Sequence, residues 1–159
     1  MTDRLPDWAR TLGLQPHPEG GFYTETWSSP IAVPAELLPG DYDDERLLAT
    51  AILFLLPPGS VSAWHVVKSD ELWFFHRGGP LELTLGGSDP DGPQAEEAIV
   101  LGNDLLAGHQ PQATVPGGVW QTARPLTDEA GLVGCVVAPG FDFRDFRLAD
   151  GAFEDVEGF

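Results

Sequence analysis

Short apolar segments separated by turn-forming residues make up most of the chain. Apolar residues repeat at helical spacing from Leu5 to Leu12, and Gly13 follows, which predicts one short amphipathic helix. Beyond it, strand-sized segments alternate with clusters of Gly, Pro, Asp and Ser. The predicted strands are residues 22–27, 47–56, 61–67, 71–76, 81–85, 96–101, 113–115, 119–123 and 132–138. This spacing predicts an all-β protein, built as a barrel or a double-sheet jelly roll.

A single domain over residues 1–159 is expected from the length. A chain of this size buries about 70% of the surface that its unfolded form exposes, which is enough for one core. No run of about 18 apolar residues and no basic start followed by an apolar block is present, so neither a transmembrane span nor a signal peptide is expected. The single cysteine, Cys135, lies in an apolar segment and is interpreted as a core residue. From these features we expect a cytoplasmic location.

The formal net charge is −17, because 25 acidic residues outnumber 8 lysines and arginines. Phosphate binding needs a basic face, so neither nucleic acid nor an anionic membrane is an expected partner. The charge by itself indicates solubility rather than a particular activity.

One hairpin carries the first candidate chemistry. Five residues separate Gly59 from His65, Glu71 lies six positions after His65, and Gly78 lies seven positions after Glu71. The two glycines suit turns at the ends of a hairpin. A corner over residues 68–70 would let both polar side chains face one interior. Imidazole and carboxylate suit metal ligation as well as proton transfer, so His65 and Glu71 are the candidate catalytic residues.

This hairpin, together with a later one, resembles the paired signatures of the cupin superfamily of small β-barrels. The later hairpin has Pro116 and a Gly-Gly pair at the signature spacing. In metal-binding cupins a second His lies two residues after the first, where this chain has Val67. A further His takes the position of Gln121, and a Gly takes the position of Gln110. The resemblance therefore implies a cupin whose metal site is at least partly dismantled.

Three segments are similar to one branch of the superfamily, labelled domain of unknown function 985. They are residues 16–26 (PHPEGGFYTET), 68–73 (KSDELW) and 137–143 (VAPGFDF). Members of this branch commonly have a His where Phe74 stands. The resemblance implies a cupin-type double-stranded β-helix, a jelly-roll barrel with a short N-terminal helix outside it. Cupins of this kind commonly dimerise, so a homodimer that covers the open strand edges is expected.

The missing imidazoles change the expectation for a metal. A competent transition-metal site offers three or four His, Asp, Glu or Cys ligands. Here His65 and Glu71 are strong donors and Gln121 is a weak one. We therefore expect no tightly bound metal or other cofactor, and at most a weakly held divalent ion at these three residues. A His–Glu hydrogen bond that only satisfies two buried groups is an alternative.

Alternation along two strands predicts a ligand cavity. Trp73 and Phe75 share a face with Glu71, and they either wall a small-molecule pocket or fill the barrel. Tyr23 and Glu25 share a face in the same way. If that face points inward, Glu25 and Glu71 form a pair of carboxyl groups of which at least one has a raised pKa. An outward Glu25 is the alternative.

Three residues near turns complete the predicted ligand-binding set. Gln112 and Gln121 flank the Pro-Gly-Gly turn and suit recognition of polar groups, although surface placement is the alternative for Gln112. Phe141 lies in a predicted turn that closes one end of the barrel. The remaining histidines lack ligand spacing and are interpreted as turn or surface residues: His17, His76 and His109.

The expected function is binding of a small polar or aromatic molecule in the barrel. The alternative is an enzyme in the same pocket, using His65 and Glu71. It would be a metal-free sugar epimerase or isomerase, or an enzyme that depends on a weakly bound metal. Cupin epimerases of sugar nucleotides bind phosphates with Arg or Lys, which are scarce near these hairpins. A storage or structural protein is a third class.

Overall fold

The computed structural model describes residues 5–149 of the chain, most of which lie in antiparallel β-strands. The strands are β1 (Gln15–Pro16), β2 (Phe22–Ser28), β3 (Ala32–Val33), β4 (Arg46–Leu47), β5 (Thr50–Leu56), β6 (Ser62–Val67), β7 (Asp70–Gly78), β8 (Leu81–Leu85), β9 (Glu97–Leu101), β10 (Gln112–Val115), β11 (Gln121–Pro125), β12 (Gly131–Ala138) and β13 (Phe146–Leu148). The expected span of residues 1–159 therefore includes ends that lie outside the described residues.

Two antiparallel sheets form the body of the described structure. One has six strands in the order β1-β2-β5-β12-β7-β10, and the other has five in the order β13-β6-β11-β8-β9. Strands β3 and β4 pair separately. Strands far apart in the chain are neighbours, as in β5 with β12 and β6 with β11, which is typical of a jelly roll. The prediction of an all-β cupin-type jelly roll is confirmed.

The larger hydrophobic cluster draws on both sheets. Its members include Phe54 and Trp73 from the six-stranded sheet and Leu83 and Ile99 from the five-stranded sheet. Alternation decides which side chains point inward, since successive residues of a strand face opposite sides. Removing these apolar side chains from water stabilises the packing of one sheet on the other.

A smaller cluster lies under the N-terminal helix. Leu5 and Ala9 pack there with Phe22, Leu55 and Leu132 of the six-stranded sheet. The predicted amphipathic helix is present, but it is a 3₁₀ helix that covers only Asp7–Leu12 and ends at Gly13 in a left-handed conformation. Six residues give few i→i+4 hydrogen bonds, and short segments commonly take the tighter form.

Short 3₁₀ helices also occur at Ala35–Leu37, Leu105–Ala107 and Phe143–Asp145. Among the described residues, no helix has both the length and the apolar character needed to cross a membrane.

The corner between β6 and β7 brings the two sheets together at the candidate site. Strand β6 belongs to the five-stranded sheet and β7 to the six-stranded sheet, and only Lys68 and Ser69 separate them. His65 near the end of β6 and Glu71 near the start of β7 therefore lie on opposite walls of the barrel. Strand β13, too short for an alternation pattern, pairs its Leu148 with His65 and covers the outer edge of β6.

Candidate functional site

A cavity of about 290 Å³ lies inside the barrel next to the β6–β7 corner. Titratable side chains on its wall include His17, Glu19, Glu25, His65 and Glu71. Its largely apolar wall includes Tyr23, Phe54, Val67, Phe141 and Phe143. The cavity thus combines an aromatic surface with a few converging polar groups, which is the usual composition of a small-molecule site.

His65 is buried on β6 with both ring nitrogens occupied. Its Nδ1 lies 2.7 Å from the carbonyl oxygen of Ala63, and its Nε2 lies 3.2 Å from Oε2 of Glu19. A carbonyl oxygen only accepts, so this contact assigns the proton of the neutral ring to Nδ1 and the lone pair to Nε2. Burial lowers the pKa of His65, which opposes protonation of that lone pair.

Glu19 supplies the group that faces this lone pair. Its Oε1 accepts a hydrogen bond from the Ser62 hydroxyl at 2.9 Å. Burial raises the pKa of Glu19 to about 8, although the bond from Ser62 acts in the opposite direction. The carboxyl group is therefore mainly protonated at neutral pH, and its Oε2 hydroxyl can donate to Nε2 of His65.

His17 lies beside this pair, which corrects its interpretation as a turn or surface residue. Its backbone does begin the turn to Gly20, but its ring is only 8% exposed and lines the cavity. The Glu19 backbone N–H donates to its Nδ1 at 3.2 Å, and the Tyr23 ring packs edge-on at 4.7 Å. Burial, and next the nearby His65, lower the pKa of His17 to about 3, so the ring is neutral.

Glu71 faces the cavity from β7 and forms a chain of hydrogen bonds behind it. Gln121 Nε2 donates to Glu71 Oε2 at 2.7 Å, and Trp73 Nε1 donates to Gln121 Oε1 at 3.0 Å. Burial raises the pKa of Glu71 to about 7; the adjacent Glu19 also raises it, whereas His65 and Gln121 lower it. This carboxyl group can change its charge near neutral pH.

The structure brings five of the predicted site residues to the cavity wall: Tyr23, Glu25, His65, Glu71 and Phe141. Gln121 and Trp73 lie behind Glu71 and are almost fully buried. Phe75 packs against the hydrophobic cluster, and Gln112 is exposed on β10. A ligand contact for any of these residues stays a prediction.

Sequence reasoning missed His17 and Glu19 as functional candidates. Both lie in the PHPEGG segment, which is similar to one branch of the cupin superfamily. That similarity was a signal for a functional role, whereas neither residue shows the sequence spacing of metal ligands. A pair of buried carboxyl groups is present, but it consists of Glu19 and Glu71 and not of Glu25 and Glu71 as considered from the sequence; the adjacent Glu19 raises the pKa of Glu71. Glu25 lines the cavity while remaining exposed to solvent.

A metal ion of the kind bound by many cupins does not fit the ligand atoms that His65, Glu71 and Gln121 offer. No group of three or more His, Cys, Asp or Glu side chains within residues 5–149 is arranged to hold a metal ion. Val67 lines the cavity two residues after His65, and both ends of the Gln121 amide already form hydrogen bonds. Weak binding at His65, Glu71 and Gln121 stays a prediction.

The family described as Cupin superfamily (DUF985) matches residues 6–149, and the chain belongs to this family. The uncharacterized protein YML079W of Saccharomyces cerevisiae is 32% identical over 161 residues, which cover 94% of this chain and 75% of that protein.

Two solved structures are similar in sequence as well as in fold. A hypothetical protein from Leishmania major is 35% identical with a TM-score of 0.77, over 88% of this chain and 84% of that one. Protein SO0799 from Shewanella oneidensis is 38% identical with a TM-score of 0.73, over 89% of this chain and 82% of that one. The expected family and fold are thereby confirmed, and the names of these relatives state no activity.

Replacing Glu19 by Gln should change how stability depends on pH. The folded-state pKa lies above the usual value, so the folded protein holds this proton more tightly and loses stability as pH rises from about 5 to about 8. Glutamine keeps the shape of the protonated acid and does not ionise. We expect Glu19→Gln to gain about 2–4 kcal/mol relative to the native protein over this range, measured by urea unfolding.

Glu97→Gln replaces an exposed residue on β9 and is the control for the loss of one negative charge. Its free energy of unfolding should depend on pH in the same way as that of the native protein. A Glu19→Gln curve parallel to the native curve at all pH values would show that the Glu19 carboxyl group does not hold its proton.

Metal content should be low in protein purified without added metal. Two strong donors hold a divalent ion loosely, so we expect much less than one equivalent by elemental analysis. A chelator should leave the melting temperature nearly unchanged, because a weakly bound ion adds little to folding. Val67→His combined with Gln121→His should raise affinity for Ni²⁺, Co²⁺ or Zn²⁺, whereas Val61→His at an exposed position should not. Stoichiometric metal that is lost in His65→Ala would contradict this expectation.

Proposed function

We propose that this cupin binds a compact small molecule with polar and aromatic character in its barrel. The observation that carries the proposal is the cavity of about 290 Å³, which lies at the small end of the range for ligand sites. Its wall joins aromatic rings to the imidazole of His65 and the carboxyl groups of Glu19 and Glu71.

The cost of burying these polar groups supports a ligand rather than a purely structural role. An interior of apolar side chains would stabilise the barrel without burying carboxyl and imidazole groups, each of which loses solvation. Here Glu19, Glu71 and His65 are all less than 10% exposed. Polar groups held at this cost beside open space are suited to recognise a molecule that enters it.

A thermal-shift screen of metabolite-sized compounds tests the proposal. We expect binding compounds to raise the melting temperature of the native protein, because a ligand of the folded state stabilises it. Val137→Phe narrows the cavity and should lose these shifts, whereas Val61→Phe, at an exposed position, should keep them. Shifts that persist unchanged in a folded Val137→Phe protein would place binding elsewhere and reject the proposal.

A second candidate function is acid–base catalysis of an isomerase or epimerase type. It is favoured by the 3.2 Å approach of His65 Nε2 to Glu19 Oε2. The pKa values of Glu19 and Glu71, about 8 and about 7, suit proton transfer near neutral pH. In this function His65 Nε2 is the base and a carboxyl group is the acid. A phosphate-bearing substrate is disfavoured, since no Lys or Arg is among the described residues that line the cavity.

Exchange of carbon-bound hydrogen with D₂O tests this second function without a known substrate. Small hydroxyketones and aldoses are incubated with the protein, and deuterium next to the carbonyl group is followed by NMR. We expect His65→Gln to slow the exchange about 100-fold or more, whereas His76→Gln, at an exposed position, should not. Equal exchange in native protein and His65→Gln, or none in either, would reject catalysis through His65.

A further inference from the structure

We infer that the cavity selects small organic cations, namely amines or quaternary ammonium groups carried on an apolar or aromatic body. This inference rests on the proposed binding function and adds the charge of the ligand. Three carboxyl side chains line the cavity: Glu19 and Glu71 inside it, and the more exposed Glu25. Among the described residues on its wall there is no lysine or arginine to receive an anion.

Two basic residues that follow wall residues in the chain lie near carboxylates that are not part of the cavity wall. Arg144, next to Phe143, forms a 2.9 Å ion pair with Asp142. Lys68, next to Val67, has its Nζ 4.0 Å from Asp145 Oδ1. Neither basic side chain is part of the cavity wall, so an anionic ligand would meet carboxyl groups in the cavity without a compensating cation.

The aromatic part of the wall suits a cation as well. Tyr23, Phe54, Phe141 and Phe143 all line the cavity. Phe141 and Phe143 meet edge to face, with ring centroids 4.9 Å apart and planes at 84°. Rings at such an angle form a corner, and a cation over a ring face is attracted by the negative charge of the π-system. An ammonium group can therefore contact ring faces and carboxyl oxygens in one small volume.

The imidazoles of the wall do not oppose a cation. The imidazoles of His17 and His65 have lowered pKa values and carry no positive charge at neutral pH. Glu71 Oε2 accepts a hydrogen bond from Gln121 Nε2 at 2.7 Å, and such a bond stabilises the ionised carboxylate that an entering cation would contact. The other titratable side chains that face the cavity are Tyr23, Glu25 and Cys135.

Three probes of similar shape and different charge test the inference: benzylamine, benzyl alcohol and benzoate. We expect calorimetry at about pH 7 to show benzylamine binding at least about tenfold more tightly than benzyl alcohol, with benzoate weakest.

Glu71→Gln should weaken the preference for benzylamine over benzyl alcohol, whereas the exposed control Glu97→Gln should keep it. If Glu71→Gln does not fold, Glu25→Gln must reduce the preference. Tighter binding of benzyl alcohol or benzoate, or an unchanged preference in the folded variant, would overturn the inference while leaving a small-molecule site in place. Binding of none of the three probes would also overturn it, and the wider thermal-shift screen then decides the proposed function separately.

Discussion

The attachment of the turn at residues 17–20 to β6 is the constraint on which the cavity depends. Ala63 N–H donates to the backbone oxygen of Glu19 at 2.6 Å, and the Ser62 hydroxyl donates to its carboxyl group at 2.9 Å. These two bonds join the segment before β2 to the five-stranded sheet and place the carboxyl group against His65. The turn thus supplies part of the barrel wall and two of its polar groups.

Burial in the assembled barrel determines the chemistry of the interior. In water a glutamate is ionised at neutral pH, yet burial holds Glu19 mainly protonated and Glu71 near its midpoint. The imidazoles of His17 and His65 are kept neutral for the same reason. A chain with a formal charge of −17 therefore encloses carboxyl groups away from water, where hydrogen bonds are stronger than they are in water.

The aromatic wall shows how far alternation along a strand predicts a site. Trp73 does point to the interior, but its indole N–H is bonded to Gln121 and its ring packs against Phe54. The Tyr and Phe rings that line the cavity are those of Tyr23, Phe54, Phe141 and Phe143, and the last two lie beyond the end of β12 rather than on β7. Alternation gives the face of a side chain, whereas its depth depends on which neighbours fill the space beside it.

The sequence by itself determined the strand pattern, the family and the corner that places His65 and Glu71 on opposite walls, because turn residues and alternation act over a few neighbouring positions. It also showed that Val67 and Gln121 stand where metal-binding cupins have His ligands. Only the tertiary structure decided that Glu19 is the partner of His65. Glu19 and Ser62 are 43 residues apart, and no local pattern encodes a contact made by the packing of a turn onto a distant strand. The same packing buries His17 and sets the protonation of the whole site, since burial is a property of the assembled barrel.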